Sequence, residues 1–135
     1  MPKTLTFLIM EPPYESSNTV TAFRMIGSAL RKGYNVNVFA YEGAVNLTFA
    51  EQKKHPNSVK GTTLEEEDHP LPKDLVAGLF SLAKEKGAKL TWTNCGLCVD
   101  ERGAGNWIPG ATRGSPGDFV KYVNESDNTL VIATN

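Results

Sequence analysis

A chain of 135 residues with 40% hydrophobic residues, 21% charged residues and a formal net charge of -1 has the size of one domain and a composition far from that of disordered chains. Its longest basic runs are the pairs Arg31-Lys32 and Lys53-Lys54, and its apolar runs are no longer than Leu5 to Met10. These features argue against nucleic acid as a partner and against a membrane-spanning helix, which needs roughly 20 apolar residues. No signal-peptide pattern opens the sequence and two cysteines are too few for a disulfide framework, so a cytoplasmic, reducing address is expected.

Thr4 to Met10 predicts a buried strand. Asn18 to Lys32 follows as a helix with Phe23, Ile26 and Leu30 on one face and Gly33 as its stop. Tyr34 to Tyr41 alternates through Val36 and Val38 and predicts a second strand, ending at Glu42-Gly43. From Val45 to about Pro72 the pattern gives way to a polar excursion that includes Glu65 to Asp68, with a short helix expected near Phe49 to Lys54. Asp74 to Lys86 predicts a helix with Leu75, Leu79 and Leu82 together, stopped by Gly87, and Lys89 to Thr93 a third strand. Cys95 to Gly114 is glycine-rich and lacks a sustained period. Ser115 and Pro116 open another helix as N-cap and first residue, with Asp118 near its positive end and Phe119, Val120 and Val123 facing inward; Thr129 to Ala133 closes as a strand.

Strands alternating with helices imply crossover units, a largely parallel sheet and helices on both faces. Ligands of such sheets gather outside the carboxyl ends of strands. The loops there are Glu11 to Ser17, Tyr41 to Asn46 and Asn94 to Gly103, and Pro13, Tyr14, Glu42 and Gly43 are expected to line a pocket.

Cys95-Gly96-Leu97-Cys98 is the constellation with evident chemical content. If a helix or a nest of amides follows Cys95, backbone N–H groups stabilise its thiolate, the nucleophilic form of cysteine. A persulfide on the same sulfur is also anionic and gains from a guanidinium, with Arg102 the local candidate and Arg113 a remoter one. Other readings stand beside this one. Free cysteines are often plain packing residues. The pair also has the spacing of a dithiol redox motif, although such motifs belong after a chain's first strand. Zinc would need His55 and His69 to complete the pair, and neither histidine has a partner at ligand spacing. No metal is expected. The absence of G-x-G-x-x-G, P-loop and G-x-S-x-G motifs argues against nucleotide and hydrolase chemistry and leaves a flavin on fold analogy alone, so no cofactor is expected. Trp107 and Ile108 would either fold over Cys95 or meet another chain, with a subunit contact preferred.

Taken together, the opening strand Leu5 to Met10, Ala22-Phe23-Arg24, the stretch Val38 to Asn46, the step from strand to Cys95 with Arg102-Gly103 behind it, and the ending Gly117 to Ala133 resemble the DsrE/TusD-type (DsrE/DsrF-like) sulfur-relay proteins. The resemblance implies one domain over residues 1–135 with a flavodoxin-like three-layer sandwich. It also implies that Cys95 accepts sulfane sulfur as a persulfide and passes it to a carrier-protein thiol, a sulfurtransferase-like activity. A persulfide donor or a small sulfur-carrier protein would be its partner, in a homo-trimer or hexamer, or one of mixed related subunits. Relatives lacking the cysteine serve as companion subunits, so a non-catalytic assembly role is the alternative, beside dithiol redox. Cys98 and Arg102 are auxiliary in this scheme, and Cys98 is not part of the family's essential pattern. The excursion Glu51 to Pro72 and the stretch Ala104 to Thr112 exceed what a minimal member needs.

Overall fold

A computed structural model describes residues 2–134. Five strands, β1 (Thr4–Ile9), β2 (Asn35–Ala40), β3 (Leu90–Cys95), β4 (Ala111–Gly114) and β5 (Asn128–Ile132), form one sheet in the order β4-β3-β2-β1-β5. Every neighbouring pair is parallel, with Phe7 beside Val38 and Val38 beside Trp92 across its centre. Helices α1 (Asn18–Arg31), α2 (Pro72–Glu85), α3 (Gly96–Arg102) and α4 (Pro116–Glu125) make the connections, with a 3-10 helix over Glu42–Thr48 after β2. The result is the three-layer α/β sandwich with a parallel sheet that the alternation predicts. Among the described residues no helix is long and apolar enough to cross a membrane.

The period of two along each strand divides the core. Phe7, Ile9, Val36, Val38 and Trp92 meet the apolar stripes of α1 and α2, where Phe23, Ile26, Leu30, Val76 and Leu79 are buried. Each such side chain contributes about 1.5–3 kcal/mol on burial, which makes this face the main source of stability. The opposite face is thinner. There Phe39 and Cys95 share a cluster with Val45, Cys98, Val99 and Ala104. Helix α4 reaches it through the Phe119 ring, 5.8 Å from that of Phe39, and the Tyr122 hydroxyl, 2.7 Å from Thr93 Oγ1.

Four expectations change. No helix forms over Phe49 to Lys54. The turn comes earlier, over Glu42–Thr48, because it buries Ala44, Val45, Leu47 and Thr48. Beyond it the backbone pairs with the distant stretch around Trp107: Phe49 bridges Trp107, Ala50 N–H donates to Asn106 O at 2.8 Å, and Ile108 N–H to Thr48 O at 2.9 Å. The segment Cys95 to Gly114, read as irregular, contains both α3 and β4; seven helical residues and a four-residue edge strand are too short to leave a period. Strand β3 runs two residues further than expected, to Cys95. Finally, Val120 points outward, 57% exposed, and α4 buries no residue completely.

Candidate functional site

Cys95 is the last residue of β3 and caps α3, with an extended backbone at φ -61° and ψ 119°. The strand fixes it from behind, since Trp92, Thr93, Asn94 and Cys95 are all buried and the Asn94 side-chain amide donates to Thr48 Oγ1 at 2.9 Å. The next residue has to be small. A Cβ on Gly96 would lie 2.7 Å from the Arg113 guanidinium, which crosses the start of α3 at that point. Strand register brings Arg113 there, because it stands beside Asn94 while Gly114 stands beside Cys95. Asp100 of α3 then clamps the guanidinium with Nη1–Oδ1 and Nη2–Oδ2 bonds of 3.0 and 2.8 Å. This hydrogen-bonded pairing holds the Asp100 carboxyl below the usual carboxylate range. Asp100 is also the main influence that keeps Arg113 charged; burial opposes it and the Cys95 sulfur adds to it.

In front of Cys95 lies a cleft of about 360 Å³ whose walls include Gly96, Leu97, Arg113, Ser115 and Pro116. The start of α4 forms its far side, where Ser115 N–H donates to the Asp118 carboxylate at 2.8 Å, one arm of a capping box. Cys95 lines this cleft but is itself only 1% exposed.

Cys98 lies one turn further along α3 in the same apolar cluster, and both cysteines are free thiols. Its sulfur accepts the Glu42 N–H at 3.2 Å and is within hydrogen-bonding reach of Cys95. Burial first, and then the hydrogen bond with Cys95, push its thiol up to about 11, against the opposing pull of the Glu42 amide. Glu42 adopts a left-handed φ of 53°. Gly43 follows because a Cβ there would sit 2.7 Å from Pro12. The Glu42 carboxylate takes an ion pair from Arg102 at 3.3 Å, and both line a second cleft, of about 510 Å³, with Pro12, Gly43 and Asn46.

The structure therefore brings Cys95 and Cys98 together but redistributes the other candidates. Arg113, the remoter arginine in sequence, lies at the Cys95 cleft, whereas Arg102 turns to Glu42 on the second cleft. Glu42 and Gly43 share that second cleft with Pro12 rather than Pro13. Tyr14 stands apart, 69% exposed, its ring edge-on to His69 at 6.0 Å beside a small cavity with Lys53, Lys54 and His55. The histidines thus belong to a different region from the cysteines. Trp107 is half-buried against the cysteine cluster and donates its indole N–H to Ala104 O. Sequence reasoning missed Asp100 and the Ser115-Pro116 wall. The available signal was the short Arg113-Gly114 strand end followed directly by a helix start.

A five-stranded parallel sheet with helices on both faces defines a small three-layer α/β sandwich, here with a cysteine closing its third strand. The chain belongs to the DsrE/DsrF-like family, whose model matches residues 3–132. It is 31% identical to the uncharacterized protein MJ0989 of Methanocaldococcus jannaschii over 127 residues, covering 93% of this chain and 96% of that protein. Its fold is similar to that in the crystal structure of the ychN protein from E. coli, with a TM-score of 0.69 and 17% identity over 97% of this chain and 99% of the other.

Proposed function

We propose that this protein is a sulfur carrier in which Cys95 accepts sulfane sulfur as a persulfide and passes it to the thiol of a small carrier protein. The observation that carries the reading is the placement of Cys95 at the tip of β3, lining a cleft that Arg113 also lines. The Cys95 thiolate attacks a sulfane sulfur of the donor, forms the Cys95 persulfide and expels the rest of the donor: a thiolate from an organic persulfide, sulfite from thiosulfate, or the shortened chain from inorganic polysulfide. An incoming acceptor thiolate then attacks the terminal sulfur and restores Cys95. Arg113, its geometry fixed by Asp100, supplies positive charge where the persulfide anion develops.

The test is intact-mass measurement after incubation with a sulfane-sulfur donor, thiosulfate or inorganic polysulfide. Wild type is expected to gain one sulfur and Cys95→Ser none. Absence of a gain in wild type, or an equal gain in the variant, overturns the reading. The same proposal includes assembly of several copies, supported by the outward apolar residues Val120 of α4 and Val131 of β5.

A further inference from the structure

We infer that Cys98 is a resolving residue that discharges a sulfur-loaded Cys95, releasing the sulfur as hydrogen sulfide and leaving a Cys95–Cys98 disulfide. The inference rests on the persulfide reading and adds a second outcome to it, reductive release in place of transfer.

Three features of the geometry converge. Cys95 caps α3 and Cys98 stands in the first turn of that helix, three residues on, so one turn of backbone carries both thiols and a disulfide between them asks only for local adjustment. Both sulfurs are sequestered in one apolar cluster, where solvent thiols compete poorly with a neighbouring one. The Cys98 sulfur is also held in place by the Glu42 N–H at 3.2 Å, from a residue kept in the left-handed region at φ 53°. Backbone strain of that kind costs on the order of 1–3 kcal/mol and persists where the surrounding structure enforces it. Packing alone does not ask for an amide aimed at a sulfur.

The step balances. The Cys98 sulfur attacks Cys95 Sγ, the inner atom of the persulfide; the Cys95–Cys98 S–S bond forms as the bond to the terminal sulfur breaks. The Cys98 proton leaves with that sulfur, which departs as hydrogen sulfide. The sulfane sulfur gains two electrons and the two cysteines lose them. An external dithiol, itself converted to a disulfide, returns both cysteines to thiols.

The experiment loads wild type, Cys98→Ser and Cys98→Ala with inorganic polysulfide, removes the excess by desalting, and follows intact mass and free sulfide without reductant. Wild type is expected to pass from one sulfur heavier to two hydrogens lighter than the starting protein, with one sulfide released per chain, while both variants keep the sulfur. A digest without reduction locates the lost hydrogens in the peptide holding Cys95 and Cys98, which decides the matter in wild type even if a variant folds poorly. Wild type that stays sulfur-loaded overturns the inference and leaves the carrier reading standing. Loss of hydrogens with no sulfide released from the loaded protein also overturns it. Failure of every protein to take up sulfur sinks the carrier reading, and the inference with it.

Discussion

Cys98 is the residue whose chemistry the fold alters most clearly. Its thiol rises to about 11 because burial disfavours the thiolate more than the Glu42 amide favours it. A thiol whose proton is held more tightly in the folded state than in the unfolded chain adds stability in full below the unfolded value near 9, and that contribution disappears as pH climbs through about 11. Between those limits wild type is therefore expected to lose about 2 kcal/mol relative to Cys98→Ala. Denaturant unfolding of the two proteins from pH 8 upward measures the difference. Parallel stability curves would show that the fold does not shift Cys98. At this scale the sequence was informative about identity and silent about partnership. Cys95 and Cys98 stood out by spacing, but which arginine served which cleft depended on strand register, which brings Arg113 beside Asn94 from 19 positions away in the chain.

Among the elements, the junction of β3, α3 and β4 carries most of the site, and Gly96 is its fulcrum. The atoms that a Cβ on Gly96 would strike belong to the mobile end of Arg113, so the side chain yields while the backbone stays. Alanine is also the better helix former, worth up to about 1 kcal/mol over glycine. Gly96→Ala is thus expected to unfold no more easily than wild type yet to take up sulfur about tenfold more slowly, since it dislodges the guanidinium. Arg113→Lys should show a similar loss, because a lysine cannot keep the two-point clamp on Asp100. Thermal unfolding and the rate of sulfur gain by mass spectrometry separate the two effects. A Gly96→Ala protein that loads at the wild-type rate would remove Arg113 from the mechanism. These elements were also the least legible ones. The long stripes of α1 and α2 declare themselves through Phe23, Ile26, Leu30 and Leu79. The seven residues of α3 and the strand Ala111–Gly114 are short, and they become regular only through pairing with β3. The turn over Glu42–Thr48 was likewise hidden, because its stabilising contacts come from distant parts of the chain.

Across the whole molecule the two sides of the sheet are unequal, and this asymmetry bears on assembly. Parallel sheets are ordinarily covered on both faces. Here α1 and α2 seal one face, whereas α4 has no completely buried residue and leaves Val120 57% exposed. Val131 stands beside Leu8 on β5, an edge strand, and is also 57% exposed on that thinner side. An edge strand with outward apolar residues invites pairing or cover by another chain. If copies of this protein pack there, light scattering coupled to size exclusion should give a mass that is a multiple of the 14.7 kDa chain. The double variant Val120→Asp, Val131→Asp should then run as a monomer while keeping its far-ultraviolet circular dichroism, because neither side chain supports the core. Sulfur uptake by that monomer carries further information. Cys95 and Arg113 both come from the same chain, on the adjacent strands β3 and β4, so loading is expected to survive dissociation. Loss of loading together with assembly would mean that a neighbouring copy completes the cleft. A wild-type protein that runs as a monomer removes the assembly proposal and leaves the chemistry of Cys95 to be judged alone.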